Sequence, residues 1–189
     1  FCTMKFLIVG LGNPGSEYEH TRHNIGFDIA DAFAKKQNAL FAPDRYADYA
    51  HATLKGKHFH LIKPTTYMNL SGKAVRYWLD KLSLTPEQML VLVDDLAIDF
   101  GKIRIRKNGS DAGHNGLKNI QEVLHTQNYP RLRFGIGNHF PKGGQIDYVL
   151  GKWNTEEQTA LPKLVAYSVE AIEAFGFIGI ERAMNQFNS

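Results

Sequence analysis

Apolar residues along this chain follow three rhythms, and each predicts a kind of element. Residues 4–10 (MKFLIVG) and 89–93 (MLVLV) are nearly unbroken apolar runs, the pattern of strands covered by helices on both faces. Residues 131–137 read as a third strand. Lys102–Lys107 alternates strictly, so Lys102, Arg104 and Arg106 share one face and Ile103 and Ile105 the other. Residues 46–54 and 57–63 flank Lys55-Gly56 as a hairpin. Helical spacing appears at Ile25, Ile29, Ala32 and Phe33, running to Lys36 with Thr21 as the expected cap. It recurs at Leu70, Ala74, Tyr77, Trp78 and Leu82, over 113–126, and over 155–187, where Gly176 and Gly179 are expected to break it. Strands interspersed with helices, plus one hairpin, predict an α/β fold: a mixed β-sheet flanked by helices in three layers. The Gly/Pro stretch at 141–144 reads as a loop, so a single domain spanning 4–189 is expected.

Composition changes this picture little. With 189 residues, 43% hydrophobic and 22% charged, the chain buries a real core and is not disordered. No apolar run approaches the roughly 18 residues that suggest a membrane span. No signal peptide is expected, Met4 is read as the start with Phe1-Cys2-Thr3 as a remnant, and a cytoplasmic location is expected. Cys2 is the only cysteine, which argues against disulfides and cysteine metal sites. The net charge of +3 matters only through where the cations fall.

Candidate chemistry concentrates in Gly10–Phe27, GLGNPGSEYEHTRHNIGF. Its first six residues match G-x-G-x-x-G after a strand, a dinucleotide-binding fingerprint. Three features argue against that reading. Pro14 removes a backbone donor. The residues after Gly15 lack an apolar face. No acidic strand end follows some 20 residues on. What remains is His23, a general base if an acidic partner fixes its tautomer, and otherwise a polar first turn of a helix.

Asp94-Asp95 ends an apolar strand, where α/β folds place ligand sites. The pair could hold Mg²⁺, yet strand alternation sends one carboxylate to the site and the other to solvent. Asn69 precedes a helix and reads equally as an N-cap. Asn108–Gly116, NGSDAGHNG, leads into a helix with free N–H groups suited to an anion, and brings His114 and Asn115. Lys102, Arg104 and Arg106, with Lys118 and Arg133 further on, resemble a phosphate track, backbone-reading because few aromatics interleave.

Four segments in order, FLIVGLGNPGSEYEHTRHNIGF (6–27), KPTTYMNLSGKA (63–74), VDDL (93–96) and GHNGLK (113–118), resemble the bacterial-type peptidyl-tRNA hydrolases from about Met4 to the last helix. The resemblance implies a cofactor-free, metal-free, monomeric cytoplasmic enzyme that cleaves the ester between peptide and tRNA. It implies His23 as catalytic base, Asp94 as its orienting partner, and Asn13, Asn69 and Asn115 holding peptide, ester and water. Tyr18, Met68 and His114 match positions around that cleft, and Lys102, Arg104, Arg106, Lys118 and Arg133 fall where the family meets tRNA phosphates. Two departures stand out: Ala97 where the family often has Asp, and Ser110-Asp111-Ala112 where a glycine-rich loop is common. Asp111 is expected to weaken phosphate contact. No Gly-x-Ser-x-Gly elbow is present, which argues for activated water over an acyl-enzyme. The rivals are a non-catalytic RNA-binding module of the same fold and an NAD(P)-dependent oxidoreductase.

Overall fold

The computed structural model describes residues 4–188; Phe1-Cys2-Thr3 and Ser189 lie outside the described residues, and with them the remnant and Cys2. Seven strands form one mixed sheet in the order β2-β3-β4-β1-β5-β7-β6. They are β1 (Lys5–Gly10), β2 (Ala42–Pro43), β3 (Ala47–Leu54), β4 (Lys57–Pro64), β5 (Met89–Asp95), β6 (Ile103–Arg106) and β7 (Arg131–Gly135). The central four, β4, β1, β5 and β7, run parallel, while β2, β3 and β6 are antiparallel to their neighbours. The helices are α1 (Ile25–Lys36), α2 (Ser71–Leu82), α3 (Asn115–Leu124), α4 (Gln145–Val149) and α5 (Thr155–Phe187).

The apolar runs are explained by a core on each face. Phe6, Ile8, Leu90 and Leu92 pack under α1 and α5 with Ile25, Ile29, Phe33 and Ile172. Leu7, Val9, Val91 and Val93 pack under α2 and α3 with Val75, Trp78, Leu117 and Ile120. A strand that feeds both cores has no polar side left to show. Ile103 and Ile105 enter the first core, leaving Arg104 and Arg106 on the other face as the alternation requires.

The glycine pair Gly10 and Gly26 sets how closely α1 approaches β1. A Cβ on Gly26 would stand 2.5 Å from the Leu11 nitrogen and from the Leu92 oxygen, and one on Gly10 would stand 2.3 Å from the Gly26 oxygen. Backbone meets backbone here, so no rotamer relieves an added methyl.

Local boundaries differ from the sequence expectation in instructive ways. Thr21 does not cap α1: its hydroxyl donates to the Tyr18 oxygen, and a 3-10 turn over Arg22–Asn24 intervenes. Leu70 is exposed rather than core. Only Gly179 interrupts α5 (φ 85°); Gly176 stays helical, and its missing side chain lets the Phe59 ring pack close, since a Cβ there would meet that ring at 2.4 Å. Past the kink, Asn188 reaches the outer edge of the sheet. Its Oδ1 accepts the Ile105 N–H at 2.7 Å and its Nδ2 donates to the Ile105 oxygen at 2.8 Å.

Candidate active site

The site forms where the carboxyl ends of β1 and β5 open between the helix layers, as in other open α/β sheets. Asp94 is the penultimate residue of β5 and is buried. Its carboxylate accepts two imidazoles. His23 Nδ1 lies 3.0 and 3.1 Å from the two oxygens, and His114 Nε2 lies 3.1 Å from Oδ1. The two rings stand 5.0 Å apart.

The hydrogen bonds fix the tautomers. His114 caps α3 with its own ring: Nδ1 accepts the N–H groups of Gly116 and Leu117 at 3.1 and 3.3 Å. Its proton therefore sits on Nε2 and is donated to Asp94. His23 donates Nδ1–H to the same carboxylate, so its Nε2 carries the lone pair and has no partner among the described residues. Burial pushes the His23 pKa down, but the Asp94 charge and hydrogen bond outweigh it and the net shift is upward. Burial likewise opposes charge on Asp94, yet the His23 imidazole and the N–H donors of His114 and His23 hold its carboxyl below the usual range.

His23, Asp94 and His114 are also the described residues close enough to consider as a metal set. The donor chemistry does not fit. A cation would need the His114 Nε2 lone pair, and that nitrogen must keep its proton while Nδ1 caps the helix.

Asn13 is fixed from two sides. Its backbone N–H and oxygen pair with the amide of Asn24, both at 2.9 Å, and its Oδ1 accepts the Met68 N–H at 2.8 Å. With Oδ1 so held, Nδ2 is left as a donor without a partner among the described residues. Asn69 and Asn115 are exposed, and neither amide makes a hydrogen bond among the described residues. Asn69 is not a helix cap, since Leu70 takes that place. A cavity of about 190 Å³ joins His23, Asp94, His114 and Asn115 to Gln145 and Ile146 of α4.

A family model described as peptidyl-tRNA hydrolase matches residues 7–189. The chain belongs to the peptidyl-tRNA hydrolase family. It is 54% identical to a peptidyl-tRNA hydrolase of Phocaeicola vulgatus and 52% identical to one of Porphyromonas gingivalis, over 98% of this chain and 99% and 100% of those. The crystal structure of peptidyl-tRNA hydrolase from Acinetobacter baumannii superposes with a TM-score of 0.93 at 34% identity, covering 100% of this chain and 97% of that one.

Within this hydrolase fold several expected site residues take other places. Met68 is buried beneath the site, in the core with Leu11 and Leu117, and acts there through its N–H to Asn13. Tyr18 lies in the 3-10 turn Ser16–Tyr18 and lines neither the His23 cavity nor the one beside Asn13. Arg133 is nearly buried: its guanidinium donates to the Ser110 oxygen at 2.8 Å and pairs with Asp95 at 3.4 Å. It thereby holds the 108–113 loop while lining the His23 cavity. Asp95 is correspondingly not sent to solvent. One oxygen meets Arg133 and the other accepts the Ala97 N–H, which leaves no open carboxylate pair for Mg²⁺. Asp111 builds the turn that presents His114, accepting the Gly113 N–H with Oδ1 and the His114 N–H with its carbonyl.

Lys102, Arg106 and Lys118 are exposed and Arg104 half-buried. Arg104 lies opposite Arg133, and Arg106 opposite Arg131, so four arginines share one face of β6 and β7. Arg131 is buried, with Nη2 donating to the Gln127 oxygen at 2.6 Å. Sequence reasoning missed Asn24 and the buried pair Arg22–Glu157, at 2.8 Å. Asn24 sat in view beside His23, with two asparagines in one turn as its signal. Glu157 lies 135 positions from Arg22, and no local pattern joins them.

Proposed function

We infer that this chain hydrolyses the ester between the peptide and the terminal ribose of peptidyl-tRNA through water activated by His23. The observation that carries the mechanism is the His23–Asp94 pair, with Nδ1 bound to the carboxylate and Nε2 left open. A water at Nε2 gives up its proton as it attacks the ester carbon. Asp94 keeps the imidazole in the productive tautomer and offsets its charge. A well-placed amide donor on the developing oxyanion is worth roughly 10²–10³ in rate, and the Asn13 amide is held for such a role by Met68 and Asn24. Asn69 and Asn115 offer exposed amides that grip peptide backbone whatever its side chains, since an amide donates and accepts. The chemistry asks for no cofactor, and the enzyme is read as a cytoplasmic monomer. The test is release of N-blocked amino acids from tRNA by the purified protein; failure to cleave, with tRNA still bound, would leave an RNA-binding module.

The pH dependence follows from the sign of the His23 shift. Only neutral His23 accepts a proton, so kcat/KM should rise through an apparent pKa above the ordinary 6.5. Asp94→Asn removes the charge that drives the upward shift and leaves at most a neutral acceptor against burial, so the acid limb should move to lower pH while the plateau falls. An acid limb that stays put in a pH–rate profile of Asp94→Asn would detach Asp94 from His23. Stability runs the other way. A raised imidazole pKa stabilises the fold below the ordinary value and the benefit fades as pH rises through the raised one. The protonated form favoured by folding is the inactive one.

Arg104 and Arg106 are proposed to meet tRNA phosphates together with Lys102 and Lys118. Arg104→Ala/Arg106→Ala should weaken tRNA binding and lower the slope of log affinity against log salt by about 1–2. A wild-type slope in a salt titration would move the RNA elsewhere.

A further inference from the structure

Asn69 is exposed and its amide has no partner among the described residues, so the backbone on either side must place it. That backbone is pinned twice. Ahead of Asn69, the Met68 N–H donates to Asn13 Oδ1 at 2.8 Å. Behind it, the Gly72 N–H donates to Asn119 Oδ1 at 2.7 Å. The Ser71 hydroxyl donates to the Met68 oxygen at 2.7 Å, which closes the stretch between the pins into one turn.

The second pin comes from another helix. Gly72 is the second residue of α2, where a cap side chain ordinarily takes the N–H. Leu70 occupies the cap and has no acceptor to offer, so α3 supplies one. The approach is close, since a Cβ on Gly72 would stand 2.7 Å from the Asn119 backbone oxygen. On α3, Asn119 lies one turn beyond Asn115 and on the same face, about 6 Å along the axis. The helix that presents Asn115 therefore also grips the turn that presents Asn69.

We propose that Asn119 is a positioning residue whose amide oxygen registers Asn69 against Asn115, so that both exposed amides meet one substrate. The proposal rests on the hydrolase reading above, which gives those two amides their work. Asn119 uses only its oxygen here, for its Nδ2 has no partner among the described residues. A carboxylate could serve equally, and the N-terminus of α2 favours negative charge. Another α2–α3 hydrogen bond, from Arg76 Nη2 to the Val123 oxygen at 3.0 Å, lies one turn further along both helices and away from Asn69.

The experiment is steady-state cleavage of N-acetyl-aminoacyl-tRNA by the full chain and its variants. One aligned amide hydrogen bond is worth about tenfold in binding. Asn119→Leu should therefore raise KM about tenfold and keep kcat within about twofold. Asn119→Asp retains the acceptor and should restore the wild-type KM. Arg76→Met cuts the same pair of helices and should leave KM unchanged. In an Asn69→Ala background, Asn119→Leu should raise KM no further, because the oxygen acts through Asn69. If Asn119→Leu does not fold, Asn119→Ala carries the same comparisons. A wild-type KM in the variant lacking the acceptor would overturn the proposal, as would failure of Asn119→Asp to rescue. An equal rise in Arg76→Met, or a further rise in the Asn69→Ala background, would overturn it too. Absence of cleavage by the wild-type chain would instead overturn the hydrolase reading beneath it.

Discussion

Replacing His23 by alanine should lower kcat for peptidyl-tRNA cleavage by roughly 10²–10⁴-fold, the usual worth of a positioned general base, with tRNA affinity unchanged. The reason is specific to the site. His23 Nε2 is the open imidazole nitrogen there, because both His114 nitrogens are spoken for, one by the α3 backbone and one by Asp94. His114 cannot substitute without uncapping its helix. The Asn13 donor survives in the variant, so activity above uncatalysed ester hydrolysis should persist. Single-turnover hydrolysis with a parallel filter-binding assay checks both halves. More than about a tenth of wild-type turnover in His23→Ala would refute the assignment.

The second large effect concerns stability. Arg22→Met should lower the melting temperature by roughly 10 °C, because breaking a buried pair costs about 3–5 kcal/mol and each kcal/mol shifts a domain of this size by about 2–4 °C. Arg22 donates to Glu157 at 2.8 Å and to the Tyr148 oxygen at 3.1 Å, with its guanidinium 4.1 Å from the Tyr148 ring. The same Glu157 oxygen accepts the Asn154 N–H in the capping box of α5. Removing the cation leaves that carboxylate buried and uncompensated. Arg22→Met/Glu157→Leu should regain most of the loss, since a packed apolar pair replaces an ion pair at little cost. A melt of Arg22→Met within about 2 °C of wild type would show that Glu157 finds water.

The fold and the centre of the site were legible because their signals are local. Apolar runs marked β1 and β5, alternation marked β6, and helical spacing marked α1 and α2. The two-residue β2 and the five-residue α4 carry too little pattern to detect. His23 and Asp94, 71 positions apart, were linked by the resemblance of their flanking motifs and by the chemistry a base requires. Burial was what sequence could not supply. Arg133 and Arg104 look alike on paper, but β7 lies inside the sheet beside β5 and β6 on its rim, so only the latter's cations reach water. Asp111 looked like a stray charge and is a turn residue, because its role depends on two N–H groups that only the folded loop brings near.

The Asn188 amide has a consequence beyond the packing of α5. An open β edge offers its N–H and C=O groups to any passing strand, the route by which sheets fuse into larger assemblies. On β6 that offer is withdrawn at its centre: Ile105 already has both groups engaged by one side chain acting as a strand of a single residue. On either side, Arg104 and Arg106 oppose the approach of another cationic edge. The border proposed to meet tRNA phosphates is thereby closed to a second sheet.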